Sequence, residues 1–168
     1  MPLKKIFFAA IFCAVPLISY ADKSLCSADE KVIFNCSVKN NDSFVSLCAS
    51  QKLSNTSGYI QFRFGTTDKI GVIYPTTKIK TQNSFAYEEA QDSDSGSDLE
   101  VLTFKAKGYE YGISRFLNDP DVGDAAGMVV TQIKNGASHL VAKYDCKPPR
   151  VKQRMDLKGI VAPATSPH

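Results

Sequence analysis

The chain has 168 residues, with 20 Lys and Arg against 17 Asp and Glu, and a formal net charge of +3. The charge is unevenly distributed, because residues 22–146 carry 13 basic and 16 acidic side chains whereas residues 147–168 carry five basic and one acidic. An acidic body with a short basic tail is not the basic surface of a nucleic-acid-binding protein. The composition therefore excludes nucleic acid as a predicted partner.

The first 21 residues have the pattern of a signal peptide. Lys4-Lys5 is the basic start, Ile6–Ile18 is apolar, and Ser19 and Ala21 are the small residues that precede a cut before Asp22. The apolar run is shorter than the roughly 20 residues that a membrane-spanning helix needs. We therefore expect a mature protein without a membrane span, located in the periplasm or secreted.

The mature chain is long enough for one domain, predicted over residues 22–146. The remaining 147–168, rich in Pro and basic residues, is predicted to be a disordered tail. The mature histidines are only His139 and His168, and no CxxC spacing occurs, so neither a metal site nor another cofactor is predicted.

The first predicted hairpin joins strands Lys31–Val38 and Phe44–Ala49 through a two-residue turn at Asn41-Asp42. Its register pairs Val38 with Val45, Cys36 with Leu47 and Phe34 with Ala49. The second hairpin joins Tyr59–Phe64 and Ile70–Tyr74 through Gly65–Lys69, with Phe64 facing Ile70, Phe62 facing Val72 and Ile60 facing Tyr74.

Four cysteines remain in the mature chain, an even number that predicts two disulfides in an oxidising compartment. In the first hairpin Cys36 points to the core and Cys48 to the other face, so these two are not expected to bond to each other. Two connectivities stay open: Cys26–Cys36 with Cys48–Cys146, which is slightly preferred, or Cys26–Cys48 with Cys36–Cys146.

The stretch Leu99–Phe116 predicts a third hairpin around a Lys107-Gly108 turn. Its register places Phe104 opposite Tyr111, Leu102 opposite Ile113 and Glu100 opposite Arg115. Apolar residues thus face apolar residues and opposite charges face each other, as cross-strand neighbours require. A slip by one residue would destroy both sets of pairs, so the register is strongly specified.

The last hairpin turns at Asn135-Gly136, a pair that tolerates the two positive φ angles of a type I′ turn. The predicted pairs are Val130 with Val141, Val129 with Ala142 and Thr131 with Leu140. With a weaker strand at Ser84–Glu88, the chain has eight or nine short strands and no convincing helix. The predicted fold is all-β: a small antiparallel barrel, which we favour because it removes edge strands, or a two-sheet sandwich.

The segment order resembles a family of small, mostly uncharacterised exported proteins of Gram-negative bacteria. The likeness rests on C-x9-C, VSLCAS, YIQFRFG, TFKAKGYEYGI, AGMVVTQIKNG and a closing Cys, and spans residues 26–146. More loosely, the chain is similar to the periplasmic and membrane-bound lysozyme inhibitors, antiparallel barrels that insert a Ser/Gly loop into the enzyme's cleft. That likeness reaches Ser95, Gly96 and Ser97, whereas Asp98-Leu99 stands where the inhibitors carry a Tyr.

The acidic segment Glu88–Glu100 is either a solvated, mobile hairpin loop or a partner-binding loop, because a protruding acidic loop can dock in a basic cleft. Arg63, which lies in mid-strand on the polar face, is predicted either to contact an acidic group of a partner or to pair within the sheet. The predicted partner-binding residues are Asp92, Asp94, Ser95, Gly96, Ser97, Asp98 and Arg63. A calcium site in this segment is disfavoured, because its Gly comes one place too early for an EF-hand and Thr103 stands where the bidentate Glu is needed.

No motif of a nucleophilic, metal-dependent or phosphate-binding enzyme occurs, so we predict a binding protein rather than an enzyme. The sharper hypothesis is an inhibitor of a lysozyme-type, basic cell-wall lytic enzyme. The alternative is an envelope accessory protein that binds a small molecule or glycan. A filled core with a projecting 88–100 loop favours the inhibitor, whereas a cavity beside Tyr109 and Tyr111 favours the ligand-binding protein.

Overall fold

The computed structural model describes residues 23–119, 121, 123–147 and 154–164, so the predicted signal peptide lies outside the described residues. The described chain forms ten strands and one short 3-10 turn, Gln82–Ser84. The strands are β1 Glu30–Ser37, β2 Phe44–Ser50, β3 Ile60–Gly65, β4 Ile70–Tyr74, β5 Ala86–Gln91, β6 Asp98–Ala106, β7 Tyr109–Asp119, β8 Gly123–Lys134, β9 Ala137–Asp145 and β10 Ala162–Pro163. In these residues no helix is long and apolar enough to cross a membrane.

The strands form two sheets, which confirms the all-β prediction in its sandwich form. One sheet has the order β1-β2-β3-β4 and the other β10-β5-β6-β7-β8-β9. At one edge the sheets meet, where Val38 pairs with Cys146 and the Lys39 amide donates to the Asp145 carbonyl at 2.8 Å. Among the described residues the ladder does not continue from β4 to β5, so the favoured closed barrel is not formed.

Aliphatic and aromatic side chains together form the core between the sheets, and the aromatic ones connect the two sheets directly. Phe62 of the four-stranded sheet lies 4.9 Å from Phe104 of the other, measured between ring centroids. Tyr74 stacks on Phe104 at 4.7 Å, and Phe104 stacks in turn on Tyr111 at 4.7 Å. These contacts fix how the two sheets sit on each other, since aromatic pairs have preferred geometries in addition to their buried area.

The β6–β7 hairpin has the predicted register along its whole length. Phe104 opposes Tyr111, Leu102 opposes Ile113 and Glu100 opposes Arg115. The turn also agrees, because Lys107 and Gly108 both have positive φ, 51° and 79°. This hairpin provides the two central strands of the larger sheet.

For the two hairpins of the smaller sheet, the predicted inner and outer faces are correct but the predicted cross-strand partners are wrong. Phe34 opposes Leu47 instead of Ala49, because the β1–β2 turn has four residues, 39–42, rather than two. Phe64 opposes Val72 instead of Ile70, because the ladder is irregular between Phe64 and Gly65. A shift by two residues keeps the paired side chains on their predicted face, in β1 as far as the irregularity between Val32 and Phe34.

The last hairpin keeps its predicted register only near the turn. Thr131 opposes Leu140 as predicted, but an irregularity follows, so that Val130 opposes Ala142 and Val129 opposes Lys143. Neither of the two predicted partners, Val141 for Val130 and Ala142 for Val129, is correct. A bulge of this kind adds one residue to one strand and leaves no mark in the alternation near the turn.

The disulfides are Cys26–Cys48 and Cys36–Cys146, with Cα–Cα distances of 5.4 Å in both. Cys36 and Cys48 are indeed not bonded to each other, but the slightly preferred connectivity is wrong. The reason is the path of the N-terminal segment, which crosses the outer face of the smaller sheet, where the Leu25 amide donates to Ser46 Oγ at 3.1 Å. Cys48 points to that face and is therefore the cysteine that Cys26 can reach.

Part of the C-terminal tail is folded, so the prediction of disorder is wrong for residues 154–164. Met155, Leu157 and Val161 are 2 %, 0 % and 5 % exposed and belong to the main core. Ala162–Pro163 then pairs in parallel with the start of β5. The domain therefore extends past Cys146 and includes a segment that packs on the core and pairs with β5.

Peptide mapping without reduction tests the disulfide connectivity. We expect one cross-linked peptide that contains Cys26 and Cys48 and a second that contains Cys36 and Cys146. Digestion that cleaves the chain between residues 36 and 48 distinguishes this connectivity from the alternative, Cys26–Cys36 with Cys48–Cys146. A Cys26–Cys36 peptide would contradict the observed path of the N-terminal segment.

Replacing Leu157 with Ala tests whether the C-terminal segment contributes to the core. Because Leu157 is 0 % exposed, we expect a loss of about 2–5 kcal/mol in the free energy of unfolding, measured by denaturant titration. Leu140→Ala is the matched control, since Leu140 is 67 % exposed and its truncation should cost less than about 0.5 kcal/mol. Equal stability of the two variants would show that the segment does not pack in solution.

Candidate functional site

Arg63 is buried and does not face a partner. Its guanidinium donates to both carboxylate oxygens of Glu30, at 2.8 and 2.7 Å, and to the Leu25 carbonyl at 2.6 Å. The N-terminal segment covers this face of the sheet, and Arg63 is only 5 % exposed. The assignment of Arg63 as a partner-binding residue is therefore wrong, and its pairing within the molecule is what the structure shows.

Glu30 is the centre of this buried cluster. It also accepts hydrogen bonds from Lys78 Nζ at 2.9 Å, the Tyr59 hydroxyl at 2.7 Å and the Ser27 amide at 2.7 Å. Burial alone would raise the pKa of Glu30, but the bonds from Arg63, Lys78, Ser27 and Tyr59 outweigh it and lower the pKa to about 2. The cluster thus holds the N-terminal segment and the loop before Gln82 against β3.

Asp98 is the second predicted site residue that lies inside the molecule. It is 8 % exposed, and its Oδ2 is 3.1 Å from Arg154 Nη1 and 3.5 Å from Arg115 Nη2. The register of β6 explains the burial, because Asp98 points to the same face as Glu100 and Leu102. Asp98 is therefore a structural residue, and its assignment to the partner-binding loop is wrong.

Glu100, two residues further along β6, is also a buried structural residue. Arg115 Nε donates to it at 2.6 Å, the Tyr87 hydroxyl at 2.7 Å and the Met155 amide at 3.0 Å. Burial would raise the pKa of Glu100, but the bonds from Arg115, Met155 and Tyr87 lower it overall. Burial and the bond to Glu100 raise the pKa of the Tyr87 hydroxyl.

The remaining loop residues, Asp92–Ser97, project at the tip of the β5–β6 hairpin. The Asp92 amide donates to the Ser97 carbonyl at 3.0 Å, and the Gly96 amide donates to the Asp92 carbonyl at 2.9 Å. Asp92 Oδ1 accepts from the amides of Ser95 and Asp94, which lowers the pKa of its carboxyl group. Gly96 has φ +71°, a conformation that favours glycine. The loop is therefore an ordered turn with exposed acidic and hydroxyl groups.

A second acidic loop, between β7 and β8, lies beside the first. Asn118 Nδ2 donates to the Gly96 carbonyl at 3.5 Å, and the Asn118 amide donates to Asp124 Oδ1 at 3.0 Å. A hollow of about 520 Å³ between the first loop and the end of β7 has Asp92, Ser97 and Asp119 among its lining residues. We call this surface the acidic end; its residues are Asp92, Asp94, Asp119, Asp121 and Asp124.

The sequence analysis did not join the Asp-rich second loop to the first. The signal for doing so was available, because in an up-and-down order of strands alternate turns lie at the same end of a sheet. The β5–β6 and β7–β8 connections must therefore be neighbours once β6 and β7 are paired. The acidic charge of this end comes from both loops.

The described residues offer no plausible metal site. Their one close group of candidate ligands is Cys26, Glu30 and Cys48. The two cysteines are joined in a disulfide and supply no thiolate, and Glu30 is already bound by Arg63 and Lys78. This group therefore does not suit a metal ion.

Tyr109 and Tyr111 lie at the opposite end of the larger sheet and are half-buried against the core. His139 is exposed and opposes Gln132. Another hollow, of about 540 Å³, lies between β5 and residues 158–163 and has no tyrosine other than Tyr87 in its lining. Tyr109 and Tyr111 line neither of these two hollows.

Comparisons with protein-family models, with curated proteins and with solved structures give no match to this chain.

Acid unfolding tests the Glu30 cluster. Because the pKa of Glu30 is lowered from 4.5 to about 2 on folding, its ionised form contributes about 3 kcal/mol to stability above pH 4.5, and this contribution falls as the pH drops toward 2. We expect Glu30→Gln to be less stable at pH 7 and to lose less stability between pH 4.5 and 2. Glu88→Gln, at an exposed position, is the matched control. Parallel acid profiles for wild type and Glu30→Gln would contradict the assignment.

Proposed function

We propose that the protein is an exported binding protein that acts through the acidic end, and that its partner is a basic, lysozyme-type cell-wall lytic enzyme. The observation that carries the proposal is the juxtaposition of the ordered acidic turn Asp92–Ser97 with Asp119, Asp121 and Asp124 at one end of the sandwich. In this proposal the protein works in the periplasm or outside the cell, and it binds its partner without catalysing a reaction.

The shape of the molecule supports binding of a protein at this end. Phe62 and Tyr74 of the smaller sheet contact Phe104 of the larger one, so this part of the core is closed to a large ligand. The loop Asp92–Ser97, in contrast, projects from the sheet and is held in one conformation by its own hydrogen bonds. A preordered loop loses little conformational entropy when it enters a cleft.

The negative charge of the acidic end supports a basic partner. Asp92, Asp94, Asp121 and Asp124 are exposed, whereas the acidic groups behind them, Asp98 and Glu100, are neutralised by Arg115 and Arg154. The free negative charge is therefore concentrated at the tips of the loops. Such a surface accelerates the encounter with a cationic protein and is weakened by salt.

The hydroxyl groups of the loop fit the inhibitor hypothesis. Ser95 Oγ donates to Ser97 Oγ at 2.9 Å, and Gly96 lies between them at the exposed tip. Lytic enzymes of the lysozyme type use a pair of carboxyl groups in their cleft, and serine hydroxyls can donate to such groups. In the proposal Ser95, Gly96 and Ser97 enter the cleft while the aspartates contact its basic rim.

Inhibition assays with the mature protein test the proposal. We expect the protein to slow lysis of a peptidoglycan suspension by at least one class of lysozyme, and less so as the salt concentration rises. Asp94→Asn with Asp121→Asn should raise the half-inhibitory concentration roughly threefold to tenfold, since exposed charges contribute up to about 1 kcal/mol each. The double variant should also show a flatter dependence on salt.

Glu88→Gln with Glu110→Gln is the matched control, because it removes the same charge from the outer face of the larger sheet. Thermal unfolding of both double variants should match that of wild type, which shows that the fold is unchanged. If no class of lysozyme is inhibited at any salt concentration, the inhibitor proposal is wrong. Equal weakening by both double variants would exclude the acidic end as the contact surface.

A further inference from the structure

The outer face of the larger sheet departs from the usual pattern of an antiparallel sheet, in which the solvent-facing side is mainly polar. Outward positions alternate with buried ones, so Leu99 and Val101 point outward on either side of Glu100. The large apolar side chains on this face are Leu99, Val101, Phe116, Val129, Ile133 and Leu140. Leu140 is 67 % exposed and Val129 is 39 % exposed. Exposed apolar patches of this kind mark sites of interaction.

The register of the strands joins these side chains into one surface, which we call the outer apolar face. Leu99 of β6 opposes Phe116 of β7. On β8, Val129 lies two residues before Thr131 and on the same side of the sheet, and Thr131 opposes Leu140 of β9. The outer apolar face therefore extends over β6, β7, β8 and β9.

The size of this face suits an interface between two proteins. The strands β6 to β9 have nine to twelve residues each. With about 4.8 Å between strands and about 3.4 Å per residue, they cover roughly 700 Å². A specific, stable interface buries about 800 Å² on each partner. A second sheet that packed on this face would thus bury nearly the area that a stable dimer needs.

The charged residues within the outer apolar face are of both signs. Lys105 of β6 opposes Glu110 of β7. On β9, Lys143 Nζ lies 3.3 Å from Asp145 Oδ1. Such a balanced surface gives no advantage to a partner of a single charge sign, and it does not repel a copy of itself.

The two ends of the same face carry opposite charge. One of them is the acidic end. At the other, Lys107 and Lys134 are exposed at the β6–β7 and β8–β9 turns, which adjoin each other because the Ile133 amide donates to the Gly108 carbonyl at 3.1 Å. A second copy that is turned end for end brings its lysines to the acidic end of the first, and the reverse contact follows from the twofold symmetry. Charge complementarity at both ends therefore favours a second copy as the partner.

We propose that the outer apolar face binds a second copy of this chain and forms a twofold dimer in which the two copies are turned end for end. The apolar side chains pack at the centre, and the lysines of each copy contact the aspartates of the other. The inference goes beyond the proposed function. Because both use the acidic end, the dimer is measured without a lysozyme present.

Sedimentation equilibrium of the mature protein, from micromolar to near-millimolar concentration, tests the dimer. We expect the mass to rise with concentration from that of one chain to that of two. Higher salt should raise the dissociation constant roughly threefold to tenfold, because it screens the contacts between lysines and aspartates.

A charge in the middle of the face tests the apolar contact. Val129→Glu should raise the dissociation constant roughly tenfold or more, because the dimer would bury an unpaired carboxylate. Ile73→Glu is the matched control, since Ile73 lies in β4 of the smaller sheet and is 42 % exposed, close to the value for Val129. Circular dichroism should show that both variants are folded, and only the first should lose the dimer.

Charge reversal tests the end-for-end arrangement. Lys107→Glu with Lys134→Glu should weaken the dimer roughly tenfold, because like charges then meet across the interface. Adding Asp94→Lys and Asp121→Lys to the same chain makes the charges opposite again at both contacts, so it should restore most of the affinity. A dimer that used another surface would not be rescued in this way.

The outcomes are distinct. A protein that stays monomeric up to near-millimolar concentration at low salt would overturn the proposal. A dimer that Val129→Glu leaves unchanged, or one that the combined charge reversal does not rescue, would also overturn it. If Val129→Glu unfolds the protein, the charge reversals alone decide. A dimer that forms as expected while no lysozyme is inhibited would reject the proposed function and leave this inference intact.

Discussion

The buried charge of Glu100 is the constraint that organises the larger sheet. A carboxylate that is 0 % exposed is tolerated only if it is paired and its oxygens are hydrogen-bonded. Here the partners come from three directions: Arg115 on the next strand, Tyr87 on the strand before and the Met155 amide of the C-terminal segment. One side chain thus joins β5, β6 and β7 to a segment that lies more than 50 residues away in the sequence. The position of the C-terminal segment follows from this requirement as much as from the burial of its apolar residues.

The fold could be predicted from the sequence where contacts are local and complementary. The β6–β7 register followed from its paired charges and aromatics, and the turn at Lys107-Gly108 followed from its residue types. The other hairpins were wrong by one or two residues, because bulges and four-residue turns shift a ladder without altering its hydrophobic alternation. The packing of residues 154–164 depends on distant partners, although the spacing of Met155 and Leu157 was a signal that could have been used.

The candidate site could be predicted only in part, because local sequence patterns do not show which distant segments pack together. Asp98 could have been placed inside, because the correctly predicted register already put it on the face of Glu100. The burial of Arg63 was not predictable from its strand, since the segment that covers it is held there by a disulfide and by Glu30. The role of the second acidic loop emerges only when the strand order is known. The local sequence pattern thus predicted which face of the sheet a side chain points to, but not which segment packs over that face.

The two disulfides interleave along the chain, since Cys36 lies within the 26–48 loop and its partner, Cys146, lies beyond it. Together they join the N-terminal segment and the end of β9 to the β1–β2 hairpin, Cys48 through the outer face and Cys36 through the inner one. Every hairpin of the larger sheet is enclosed between Cys36 and Cys146. A protease that cut one exposed turn there, such as Asn135-Gly136, would produce two fragments that remain one covalent molecule. The continuity of this domain is therefore carried by its sulfur bridges as well as by its backbone.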